Sequence, residues 1–366
     1  MRYRIEKDSL GEKVIPLESY YGIKSLRSKD AYQITKHGQC RQIIKALATI
    51  KKVFAKTNYE FGLLDKKVAE AIMLSADEIL NGRLHGQFIT DSIQDGYGYG
   101  MNDNANEVIA NRANEMLGGE KGKYDFVSCD DVNMNQEIEE TVMLVGKMAT
   151  IRLIKKLVVE GKKLLSGIIE KSSAYDGELK IWIDSIVNTI TRDIKRLDKS
   201  MSSLMEISLG ANVLLEGEQK EEYLKKLLKN LNQAATEKYV FPENKYDVIR
   251  SLDCFMYVST LLKNFTINFS KCAADLKIHI TNGDIKVALQ QEIPEHDSAT
   301  LMLDMVRQMS FYIMGNDLTI SRCVEEGDLN NNLYKPMIFA CMNESANLVR
   351  RTVRTVREKL IEEIIL

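Results

Sequence analysis

The chain has 366 residues, of which 45% are hydrophobic and 28% charged, with 50 basic against 52 acidic side chains and a formal net charge of -2. That length supports roughly two or three domains, and the near balance of charge argues against a nucleic-acid or membrane surface as the main partner. Six cysteines without a Cys-x-x-Cys pair, and only four histidines, argue against a zinc site and for free, buried thiols in a reducing compartment. No metal and no cofactor is expected.

The N-terminal stretch from Met1 to Ser9 is charged and lacks the apolar core of a signal peptide. No apolar run approaches the roughly 20 residues that a membrane span needs, so a cytoplasmic protein is expected. Residues 1–30 read as irregular, with turn formers at Gly11, Pro16 and Gly22. From about Ile34 the residues Ile43, Ile44, Leu47, Ile50, Val53 and Phe54 recur at three- and four-residue spacing, which predicts an amphipathic helix. A second helix is expected near Lys66–Leu80. A third, near Ala105–Leu117, stops at Gly118-Gly119. Beyond Asp130-Asp131 the apolar set from Val142 to Ile169 predicts a helix over Glu140–Glu170, followed by helical stretches near Lys180–Leu209, Lys245–Lys277, Leu301–Gly315 and Lys335–Ile365. Only four prolines interrupt the chain, leaving room for long helices that pack as a bundle. The expected architecture is mainly α: a small N-terminal domain over 1–138 and a long-helix bundle domain over 139–366.

Several strings resemble the aspartase/fumarase lyase superfamily, on its aspartate ammonia-lyase side. They include Asp8-Ser9-Leu10-Gly11-Glu12-Lys13 with Tyr20-Tyr21-Gly22, Asp77 to His85 with Gln87-Phe88, and Asn104-Ala105-Asn106-Glu107-Val108-Ile109-Ala110-Asn111-Arg112-Ala113. Val132-Asn133-Met134 with Gln136, Leu209-Gly210-Ala211, Met314-Gly315-Asn316-Asp317, and Asn332 with Lys335-Pro336 follow in the family's order. The resemblance implies a three-part fold, a homotetramer, and active sites drawn from three subunits. It also implies an anti elimination in which a base takes a proton beside a carboxylate and hydrogen-bond donors hold the resulting aci-carboxylate. By the same resemblance the chain ends inside its last long helix, without the family's C-terminal domain.

The family's signature groups are changed here. Its Gly-Thr-Ser-x-Asn stands as Gly98-Tyr99-Gly100-Met101-Asn102, so the hydroxyls are gone; the glycine run reads either as a turn before the helix at Ala105 or as backbone that cradles an anion. Its second-region histidine falls on Asp131, and its hydroxyl-rich tail on Glu137-Ile138-Glu139-Glu140. That acidic run reads either as a pocket that repels dicarboxylates or as the solvated first turn of the long helix, where it complements the helix dipole. No third-region histidine string is found between Ser172 and Asp198. The flexible loop with the catalytic serine falls on Gln290–Thr300, placing the base on Gln291 or Glu292, the lysine on Asp297 and the asparagine on Ala299.

Glu292, His296 and Asp297 are therefore the candidates for a new acid/base set, against an exposed polar loop of the same composition. The substrate-binding candidates are Asn102, Asn104, Asp131, Asn133, Gln136, Asn332 and Lys335, with a small anionic or amino-acid ligand. The alternative is that these polar groups cap helices or satisfy buried backbone. Ordinary aspartase or fumarase activity is the weakest of three readings. A diverged lyase acting on another C–N or C–O bond is the function expected, with a catalytically inactive scaffold, binding or regulatory member as the alternative.

Overall fold

The structure, a computed structural model, describes residues 2–235, 237–288, 298–327, 329 and 331–365. An N-terminal hairpin, β1 (Tyr3–Asp8) and β2 (Gly11–Pro16), precedes α1 (Ile23–Ala31), α2 (Arg41–Glu60), α3 (Lys66–Leu80), α4 (Tyr99–Met116) and α5 (Cys129–Asn133). Then follow α6 (Ile138–Ser172), α7 (Gly177–Ser200), α8 (Gly217–Ala235), α9 (Lys245–Arg250), α10 (Asp253–Thr281), α11 (Ser298–Glu325) and α12 (Lys335–Val356). The mainly α class and the long helices agree with the expectation; α6 alone runs 35 residues. Among the described residues no helix is long and apolar enough to cross a membrane.

The chain forms two compact units, each built from discontinuous stretches. The first comprises residues 1–149, 205–252 and 326–340. Its core is the apolar stripe of α2 (Ile43, Leu47, Ile50 and Phe54) with Ile72, Ala76 and Ile79 of α3 and Ala105, Val108 and Ile109 of α4, all buried. The second comprises residues 150–204, 253–325 and 341–366. There α10 buries Phe255, Val258, Leu262 and Phe265, α11 buries Leu303, Val306, Ile313 and Ile320, and α7 buries Ile183, Ile190, Ile194 and Leu197. These spacings of three, four and seven are what put apolar groups on one helix face.

Several elements depart from the sequence expectation. Residues expected to be irregular fold as the hairpin and α1. The hairpin is antiparallel with Ile5 opposite Val14 and Glu6 opposite Lys13, and it buries Ile15 and Glu6 while Tyr3, Ile5 and Val14 face out. The Arg4 guanidinium fixes it by donating to the carbonyls of Pro16, Ser19 and Tyr21 at 3.1, 2.7 and 2.8 Å. The start of α1 is capped from far along the chain: the buried Glu107 carboxylate of α4 accepts from the N–H groups of Gly22, Lys24 and Ser25 at 2.8, 2.8 and 3.0 Å. The helix α8 was not expected, α7 ends at Ser200 rather than Leu209, and α11 extends to Glu325. The Lys245–Lys277 stretch is split at Ser251-Leu252 into α9 and α10. The cysteines are free, but only Cys254 is buried; the other five are half-buried.

Candidate functional site

The site candidates gather first at the beginning of α4. A helix opens with unpaired N–H groups that attract anions, and here the chain itself supplies the acceptors. The Asp95 carboxylate accepts from Tyr99 N at 2.8 Å and Gly100 N at 3.0 Å, and Gln94 Oε1 accepts from Met101 N at 2.7 Å. Gly98, at φ +80°, makes the turn into the helix. A Cβ at position 100 would collide with Ser28 Oγ and Gln94 Oε1, so a serine there would force both to move. Of the two readings of this glycine run, an anion cradle and a turn before the helix, the structure favours the turn, because those N–H groups are already satisfied internally.

One turn on, Asn102 enters a buried network. The fully buried amine of Lys51, on α2, donates to Asn102 Oδ1 at 2.7 Å and to Asn133 Oδ1 at 2.8 Å. Asn133 Oδ1 also accepts from Asn102 Nδ2 at 3.1 Å and from Asn106 Nδ2 at 3.3 Å. Burial pushes the Lys51 amine down to about 7, against the opposing pull of Asp103 and Cys129. Two amide oxygens accept from the amine, so its hydrogen-bonding partners are neutral carboxamides. The oxygen of Asn106 is buried without a partner.

The remaining candidates are held separately. Asn104 accepts from Ile89 N at 2.8 Å and donates to Gln87 O at 2.9 Å, pinning the loop before α4. Asp131 forms a capping box with Ser128 at the start of α5. The amide nitrogen of the buried Gln136 donates to Val132 O at 2.8 Å, leaving its buried oxygen without a partner. Asn332 accepts from Tyr334 N at 2.9 Å and donates to Glu326 O at 2.7 Å. Lys335 donates to Asn332 O at 2.9 Å, and burial holds its amine below the ordinary lysine range. The structure therefore brings Asn102 and Asn133 together, and Asn332 with Lys335, while Asn104, Asp131 and Gln136 each serve local backbone. Glu292, His296 and Asp297 lie outside the described residues.

The acidic run after Gln136 is not a uniformly solvated turn. Glu140 is 6% exposed, and its carboxylate accepts from Ser208 Oγ at 2.8 Å and from the N–H groups of Gly210 and Ala211 at 2.8 and 3.1 Å. Glu137 accepts from the Asn212 carboxamide. Beside them Glu139, Glu140 and Lys335 line a crevice of about 10 Å³, room for barely one water molecule. Among the described residues no three His, Cys, Asp or Glu side chains are grouped to hold a metal ion.

Sequence reasoning missed Lys51 and Asp95. Lys51 interrupts the apolar stripe of α2, one residue after Ile50 and three before Phe54, which is the signal of a buried lysine. Asp95 precedes the glycine turn at the distance of a helix cap.

Comparison with known proteins places this arrangement. The model of the lyase family matches residues 11–297. Aspartate ammonia-lyases from Bacillus sp. and Bacillus subtilis (strain 168) are each 31% identical to the chain, covering 99% of it and 82% of their own length. A solved fumarate lyase:delta crystallin from Brucella melitensis superposes with a TM-score of 0.92 at 26% identity, covering 100% of this chain and 89% of its own. With a family match over most of its length and relatives similar from end to end, the chain belongs to the aspartase/fumarase lyase superfamily.

Proposed function

We propose that this lyase-family protein has internalised its carboxylate-binding groups, and that it neither deaminates aspartate nor hydrates fumarate. The observation that carries the reading is the occupation of two N–H cradles by the chain's own carboxylates: Asp95 at the start of α4 and Glu140 on Gly210 and Ala211. A substrate carboxylate would have to displace a covalently tethered, and therefore highly concentrated, competitor at each. The substitutions at Gly98–Asn102, Asp131 and Gln290–Thr300 point the same way, since each removes a hydroxyl, base or cation that the resemblance requires. On this reading the protein is a cytoplasmic, homotetrameric binding or regulatory member of the family. Its segments 1–138 and 139–366 are the inherited lyase-like and long-helix parts.

A diverged lyase is the second reading, favoured by Lys51. A buried amine pushed down to about 7 is poised to accept a proton. In that case Glu292, His296 and Asp297 would supply the acid/base set, and Asn102, Asn133 and Lys335 the frame around a small anionic or amino-acid ligand.

The test is to follow fumarate absorbance with the purified protein, supplied with aspartate in one arm and fumarate in the other. No change is expected, and turnover near the rates of active relatives overturns the main reading. Elimination from another amino or hydroxy acid, lost in Lys51→Met and in His296→Ala, would establish the second.

A further inference from the structure

The hollow between the end of α1 and the loop leading to α2, which shares no lining residue with the Asn102 network, has an unusual charge pattern. It holds about 240 Å³ and is lined by Lys29, Tyr32, Gln33, Lys36, His37 and Asp91, with Gly38 and Ile89. That is many times the roughly 10–15 Å³ that admits one water molecule, and enough for a phosphate or a four-carbon dicarboxylate. Lys29, Lys36 and His37 are exposed, and none has an acidic partner among the described residues. The nearby Asp30 is taken by Lys13 at 2.7 Å.

The one carboxylate in the lining is turned inward. Asp91 is 7% exposed; Oδ1 accepts from Thr35 Oγ1 at 2.6 Å and Ile93 N at 2.9 Å, and Oδ2 from Thr35 N at 2.9 Å and Lys36 N at 3.1 Å. Those donors occupy both of its oxygens without cancelling its charge, so Asp91 is an ionised carboxylate turned away from solvent, and the groups the hollow presents to solvent are two ammoniums, an imidazole, a phenol and a carboxamide. Like charges around one concavity repel each other until an anion enters.

The loop that carries them is also held in shape. Lys36 adopts φ +59°, a conformation that a side-chain-bearing residue avoids. It is kept there by the Asp91 carboxylate, by Gln39 Nε2 donating to Asp91 O at 2.7 Å, and by Ser92 N donating to His37 O at 2.8 Å. A strained backbone fixed from beneath, displaying an unpaired cation, is preorganised for a ligand.

We infer that this hollow is a binding site for a small organic or inorganic anion, a phosphate group or a short dicarboxylate, held by Lys29, Lys36 and His37. The site lies apart from the Asn102 network and does not depend on whether the protein is catalytic. Titration calorimetry of the full chain with inorganic phosphate, and separately with succinate, tests it at low and high sodium chloride. Saturable binding that weakens with salt is expected for at least one of the two, and the tighter arm identifies the ligand chemistry. The double variant Lys29→Gln/Lys36→Gln should lower that affinity by about tenfold or more. Because neither ammonium has an acidic partner among the described residues, the variant should melt no lower than the parent without ligand, which separates loss of binding from loss of fold. Absence of saturable binding in both arms, or affinity unchanged in the double variant, overturns the inference.

Discussion

Lys51 shows how one buried side chain can set a pH dependence. Its amine titrates near 7 in the folded chain, against 10.5 for an ordinary lysine. Between those values the unfolded chain binds a proton that the folded chain does not, so stability rises as pH is raised from about 7 to 10.5, and the contribution is flat below 7. Urea unfolding midpoints measured across that range should climb for the parent, and Lys51→Met should lose that part of the slope. A midpoint profile identical in the two proteins contradicts the assignment. Asn102 belongs to the same network, with 1% of its surface exposed. Asn102→Ala leaves Lys51 and Asn133 short of a partner, so a loss of about 1–3 kcal/mol in unfolding free energy is expected. Unchanged stability would mean that the carboxamide is held in reserve for a ligand.

At the scale of elements, the helix starts are tied down by carboxylates, one of them local to its helix and two that bridge distant segments. Glu107 closes α1, Asp95 closes α4, and Glu140 joins the first turn of α6 to the segment around Gly210. Capping residues typically contribute about 1 kcal/mol, so Asp95→Ala should lower stability by that amount, read as a shift in denaturant midpoint. Glu140→Ala leaves the buried N–H of Gly210 and the buried Ser208 hydroxyl unpaired, with the part-buried N–H of Ala211, and should lower it by about 2–3 kcal/mol. The pair also tests the proposed function. If the carboxylates block a former anion site, Asp95→Ala or Glu140→Ala should gain saturable binding of succinate that the parent lacks at the same position. Loss of stability with no gain of binding would make them caps alone.

On the scale of the whole molecule, α11 carries an apolar stripe that the single chain leaves uncovered. Phe311, Met314 and Leu318 are 62%, 43% and 65% exposed and stand three and seven residues apart, on one face. Such a stripe is what a self-associating helix presents, in keeping with the proposed homotetramer. Light scattering at micromolar concentration should give four times the 41.6 kDa chain mass. Phe311→Glu with Leu318→Glu should shift it to smaller species. A monomeric parent protein would remove the tetramer from the proposal.

Helical periodicity was enough to reveal the mainly α class, the long helices and the buried stripe of α2, because a 3.6-residue repeat is written locally in the order of side chains. The family strings were equally legible, being contiguous. Legibility failed where a partner lies far along the chain. The start of α1 depends on Glu107, more than 80 residues on, and that contact leaves no trace within the segment it stabilises. α8 has its apolar groups Tyr223, Leu227 and Leu231 spaced by four, yet among lysines and glutamates the stripe is narrow, and packing against α2 decides it. The same limit governed the candidate site. Residue types named Asn102, Asn133 and Lys335 as polar groups of interest, but only the tertiary structure shows their hydrogen bonds closed within the chain. A carboxylate at 140 reads as solvated until the fold sets it against N–H groups from another segment, and burial, which shifts Lys51, is a property of the packed whole.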